Sequence, residues 1–220
     1  IALALGFGIC WTAREQILDL LMKPILPHLE GGKLAIFDVT SALFLYMKVA
    51  GLAGVFLVSP YLVAQLWGFV APGLYRKEKM YAVPFIVLGT AFFLAGGYFA
   101  YAVAFEHAVE FLLGMGDKFD QVLAADRYLR FMMTIILGMG LMFELPIVVF
   151  MVAQVGLVTP RFLMRHFRWA VLIIFIAAAI LTPTPDIVNL CIFALPTIAL
   201  YLLGVAAAAI VTPKSTDSED

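Results

Sequence analysis

Few side chains in this sequence stand where their chemistry has consequences, and the foremost is Glu144. It lies in Met142-Phe143-Glu144-Leu145-Pro146, well inside an apolar run and with no basic residue nearby in sequence. An ionised, unpaired carboxylate at that depth is costly. It must therefore be protonated, face a water-filled cavity, or hydrogen-bond to another helix. A functional role is the default for such a residue, and a structural bond between helices is the plainer alternative. Gln65, in Val63-Ala64-Gln65-Leu66-Trp67, is a second polar group in an apolar run. It should find a cross-helix partner unless it sits near enough to the interface to be wet. Glu78 stands among Arg76, Lys77 and Lys79. A solvated loop with weak local charge pairs explains it, but a carboxylate held on such a loop can also accept a bidentate guanidinium. Asp186, after Pro185, is placed to cap the helix that follows, accepting backbone N–H groups and complementing the helix dipole.

Other chemistries find no residues. His28, His107 and His166 are scattered over separate loops, and Cys10 and Cys191 both lie in apolar runs, where they read as packing residues. No HExxH, GxSxG or phosphate-binding loop is present, and no nucleophile is paired with a base. Neither catalysis, nor a metal, nor another cofactor has a candidate set of ligands.

The elements that position these residues follow from composition. Hydrophobic residues make up 64% of the chain and charged residues 13%, with a mean hydropathy of +1.04. A soluble domain is about half apolar and about a quarter charged, so a water-soluble fold is excluded. A bilayer-crossing helix needs about 20 mostly apolar residues, and several such runs lie between clusters of charge. The sequence thus predicts an all-α membrane protein, a bundle of six transmembrane helices, as one domain over 1–212 with a mobile polar tail over 213–220. The first apolar run ends at Ala13, too soon to cross a bilayer, so the reading is a first helix truncated at its N-terminus. A cleaved signal peptide is the rival, but it would need a basic start and a small-residue cleavage site.

From Arg14 to Ser41 the pattern is a short amphipathic element at the interface followed by a turn. The second span covers about 42–70, kinked at Pro60; the third about 80–105; and an acidic segment follows over 106–126. Spans four to six cover about 128–155, 169–181 and 187–211, with the last two joined by a tight Thr182-Pro183-Thr184-Pro185-Asp186 turn. Lys48 is expected to snorkel, and Arg127 and Arg130 to anchor the start of the fourth span. The compact loops at 76–79 and 161–168 are net basic, whereas the segments at 14–41 and 106–126 are net acidic. That balance puts the basic loops and both termini in the cytoplasm. A net charge of −1 offers nothing to nucleic acid.

Three blocks in order carry a resemblance. Pro60, Gln65, Trp67, Phe69, Pro72, Gly73, Leu74, Tyr75 and Glu78 are similar to the end of the second helix and the first cytoplasmic loop of the TatC family. Phe143-Glu144-Leu145-Pro146 resembles its fourth-helix motif, and Leu181-Thr182-Pro183-Thr184-Pro185-Asp186 resembles the turn between its fifth and sixth helices. The resemblance implies a core receptor of the twin-arginine translocase in the prokaryotic cytoplasmic (inner) membrane. It also implies short fifth and sixth helices and partnership with the single-span subunits TatA and TatB. Twin-arginine signal peptides of folded proteins would bind at the cytoplasmic face, and export would draw on the proton gradient. By motif position Glu78 matches the loop glutamate of the signal-peptide site, with Pro72, Leu74 and Tyr75 beside it. Glu144, with Gln65, matches a polar site within the membrane, while Pro183, Pro185 and Asp186 form a structural turn and cap. Self-association is left open. The rival reading is a proton-coupled transporter of a small solute using Glu144, although the Glu144 motif has no repeat in the other half of the chain.

Overall fold

A computed structural model describes residues 1–26, 34–37, 40–70, 82–115, 123–182 and 186–211. Among the described residues the ordered elements are helices: α1 (Ala2–Thr12), α2 (Arg14–Met22), α3 (Ser41–Leu57), α4 (Ser59–Val70), α5 (Ala82–Phe99), α6 (Phe105–Met115), α7 (Ala125–Phe143), α8 (Leu145–Gln154), α9 (Pro160–Arg165), α10 (Phe167–Leu181) and α11 (Ile187–Val211). One π-helical turn, Ala100–Ala104, joins α5 to α6.

Among the described residues three helical stretches are long and apolar enough to cross a membrane: 83–115, 125–154 and 187–210. A fourth is added if α3 and α4, bent by 57° at their junction, form one span. The bend has a local cause. Pro60 has no N–H to donate, so the ladder is interrupted behind it, and the buried Ser59 hydroxyl donates to the Phe56 carbonyl at 2.8 Å. The sequence places the kink correctly. α1 and α10 are shorter apolar helices.

Two expectations need correction. The acidic segment after Phe105 is not a loop from its start, because α6 continues to Met115 with Glu106 and Glu110 one turn apart on it. At 1.5 Å per residue the 33-residue stretch reaches about 50 Å, so its last turns extend past a hydrocarbon core of about 30 Å, where acids are tolerated. The final helix is not short either. α11 has 25 residues, and only α10, with 15, is brief.

α7 is the central element, with Leu129, Met132, Ile135 and Met139 essentially sealed from solvent beside Ala100, Ala104 and Phe105. Phe105 meets Tyr128 edge-on at 5.4 Å between ring centroids. Close helix approaches are bought with glycine. A Cβ on Gly96 would lie 2.7 Å from the Met139 carbonyl, and one on Gly204 would lie 2.7 Å from the Pro146 backbone. At the end of the bundle where α2 lies, the Tyr101 and Tyr128 hydroxyls donate to the Leu20 and Leu21 carbonyls at 2.8 and 3.0 Å. The Tyr128 bond satisfies a carbonyl that the end of a short helix leaves open, while the Leu20 carbonyl also accepts from the Lys23 N–H at 3.3 Å. Ala35 is tied to Leu123 and Ala125 by two backbone bonds of 2.9 Å at the same end.

Candidate functional site

Glu144 stands at a break in the long apolar stretch 125–154. Pro146 cannot donate to Met142 and its ring crowds that carbonyl, so α7 ends at Phe143 and α8 begins at Leu145 with the proline in its first turn. Glu144 N–H donates to Leu141 at 3.1 Å, a tightened last turn, and its own carbonyl accepts from Ile147 and Val148 at 3.0 Å. The side chain makes no capping bond to α8. It is turned instead against α5, where a Cβ on Gly89 would come within 3.3 Å of Oε2 and 2.8 Å of the Val63 side chain of α4. The missing side chain at Gly89 is what leaves room for the carboxyl group.

Oε1 of Glu144 is buried with no hydrogen-bond partner among the described residues. The residue as a whole is half-buried. Beside it α4, α5 and α8 pack Val63, Trp67, Phe85, Ile147 and Met151 into a separate apolar cluster, with Trp67 and Phe85 4.7 Å apart at their centroids. The arrangement is an apolar wall with one carboxyl group at its head. Buried polar atoms are ordinarily satisfied, so an unanswered one suits a group that a partner completes. Among the described residues neither a nucleophile nor a base stands beside the carboxyl group.

Gln65 does not join this site: it is exposed on α4, and no hydrogen bond links it to Glu144. Asp186 caps α11 as expected, accepting from the Asn189 backbone N–H at 2.7 Å and from the Asn189 side-chain amide at 2.9 Å. Pro72, Leu74, Tyr75, Glu78, Pro183 and Pro185 lie outside the described residues.

One cluster was missed by the sequence reading. Lys48 of α3 is not a lone snorkelling cation; it pairs with Asp126 of α7 at 2.6 Å, and Arg130 pairs with the other carboxylate oxygen at 2.9 Å. The i,i+4 spacing of Asp126 and Arg130 was a visible signal, but nothing local announces Lys48. At the opposite end Gly156, at φ +78°, turns the chain out of α8. The Thr159 hydroxyl then caps α9, and the Tyr201 hydroxyl of α11 donates to the Leu163 carbonyl at 3.1 Å. The basic residues Arg161, Arg165 and Arg168 are thereby held at that end, each exposed.

The family model described as "Sec-independent protein translocase protein (TatC)" matches residues 1–196. The chain belongs to the TatC family. Among TatC relatives, one from Koribacter versatilis is 41% identical over 217 residues, covering 97% of this chain and 80% of the relative. The TatC of Campylobacter jejuni is 37% identical, with 97% and 88% covered, and that of Aquifex aeolicus 30% identical, with 99% and 91% covered. Two solved structures of "Twin Arginine Translocase Receptor- TatC" superpose with TM-scores of 0.82 and 0.79 at 29% and 28% identity. The first covers 94% of this chain and 93% of the other. The chain is therefore a membrane component of the Sec-independent protein translocase and not an enzyme.

Proposed function

We propose that this chain is the receptor core of a twin-arginine translocase in the prokaryotic inner membrane. It binds twin-arginine signal peptides at the cytoplasmic face and assembles with TatA and TatB to export folded proteins at the expense of the proton gradient. The observation behind this reading is the likeness, over 94% of the chain at a TM-score of 0.82, to a structure described as a twin-arginine translocase receptor. In this reading Glu78 on the first cytoplasmic loop accepts a signal-peptide guanidinium, an ion pair that arginine's planar fork favours over lysine. Pro72, Leu74 and Tyr75 belong with it to the signal-peptide site. Glu144 offers a polar contact at membrane depth to a partner helix, supported by its unanswered Oε1 beside an apolar wall. Both termini face the cytoplasm in a six-span topology, the membrane domain occupies 1–212, and 213–220 form a polar tail. A small-solute transporter is not favoured, since the family relationship covers nearly the whole chain.

The test is site-specific photo-crosslinking to a twin-arginine precursor, with a twin-lysine precursor as control and a probe at Lys79. The probe at Lys79 should capture the twin-arginine precursor alone, and Glu78→Ala should abolish that capture. Equal capture of both precursors, or capture indifferent to Glu78→Ala, would remove Glu78 from the signal-peptide site.

A further inference from the structure

At the end of the bundle that carries α2, a groove of about 420 Å³ opens between α7 and α10. Its head is formed by Asp126, Arg127 and Arg130, and its walls by Phe131 and Thr134 on α7 and Ile180 and Leu181 on α10. We propose that this groove is a binding site for an anionic phospholipid, with the headgroup phosphate on the two guanidinium groups and an acyl chain along the α7–α10 wall.

Three observations support that occupant. At the groove itself the charges do not cancel: among the described residues Lys48 and Arg130 share the one carboxylate of its lining, Asp126, and Arg127 makes no ion pair. An excess of guanidinium groups spaced i,i+3 on one face is the geometry that receives a phosphate diester. The position also fits. Both arginines lie within the first two turns of the fourth span, where a headgroup meets the hydrocarbon, and Ile180 of the wall is 78% exposed, a surface that lipid covers in a membrane.

The length of α10 supplies the third. Fifteen residues rise about 22 Å, well short of a hydrocarbon core of about 30 Å. A bilayer thins beside a short helix, and that draws headgroups inward toward whatever charge flanks it. On α10 itself this end offers only Ile180, Leu181 and the buried Thr182, whose hydroxyl is spent on the Ala178 carbonyl at 3.0 Å. The charge comes from α7 across the groove.

The experiment is native mass spectrometry of the delipidated protein titrated with phosphatidylglycerol, with zwitterionic phosphatidylcholine and inorganic phosphate as the other probes. Arg127→Gln should weaken phosphatidylglycerol binding about fivefold, the effect of one basic residue at a membrane surface. Arg165→Gln at the opposite end should leave it unchanged, and phosphatidylcholine should not be retained. Ile180→Asp, which sets a carboxylate in the groove without touching either arginine, should weaken binding as well and serves if Arg127→Gln fails to fold. Phosphatidylglycerol binding indifferent to both substitutions would overturn the site. Displacement of the lipid by millimolar inorganic phosphate would overturn the choice of a lipid over a free anion.

Discussion

Replacing Glu144 with leucine should make the protein more stable and less active. Among the described residues Oε1 is buried without a partner and the side chain gives α8 no cap, so the carboxyl group makes no hydrogen bond there that leucine would lose. An unsatisfied buried polar atom costs about 1–3 kcal/mol. Glu144 is only half-buried, which puts the recoverable amount near ~1 kcal/mol. Leucine is as good a helix former, and the break at this position is kept by Pro146. For a chain of this length ~1 kcal/mol corresponds to a rise of about 2–4 °C in Tm. Glu144→Gln brings an extra donor to the same unanswered place and should show no such rise. The assay pairs thermal unfolding in detergent with export of a twin-arginine reporter in cells lacking their own TatC. A fall in Tm for Glu144→Leu would refute the reasoning, since it would mean that the carboxyl group has a structural partner. Export at the wild-type rate would show that no partner needs the group.

Other substitutions test the frame around that site. Asp186→Ala removes both bonds to Asn189 and should lower stability by about 1 kcal/mol, whereas Asp186→Asn, another good cap, should retain most of it in the same melting assay. Tyr128→Phe leaves the Leu21 carbonyl open at a buried position and should cost about 1–2 kcal/mol, read locally as faster amide hydrogen exchange in α2. Gly204→Ala drives a methyl group into the Pro146 backbone and should destabilise by about 1–3 kcal/mol, because backbone cannot rotate away as a side chain can. A double-mutant cycle on Lys48→Met and Asp126→Asn should give a coupling of about 0.5–1 kcal/mol, the range for a partly exposed pair, and additive effects would mean that the 2.6 Å contact adds no stability.

Much of this protein could be read locally. A membrane span is a sum of apolar residues over about 20 positions, so the helices and the kink at Pro60 followed from composition and one proline. The cap at Asp186 followed likewise, because capping depends on residues three apart. Charge density misled where it was taken for a loop. Glu106 and Glu110 sit on one helix that has already outrun the hydrocarbon, and length along the membrane normal is not encoded in any short window. Gln65 was grouped with Glu144 because both are polar residues in apolar runs, yet the face that Gln65 occupies is exposed. Pairings across the bundle belong to the tertiary structure. Lys48 and Asp126 are 78 residues apart and meet only because α3 packs on α7. Glu144 was visible in the sequence as a carboxylate too deep to be ordinary. That it lies against Gly89, with Oε1 facing nothing that answers it, was decided by the packing of α5 against the break between α7 and α8, where the absence of one side chain makes room for another.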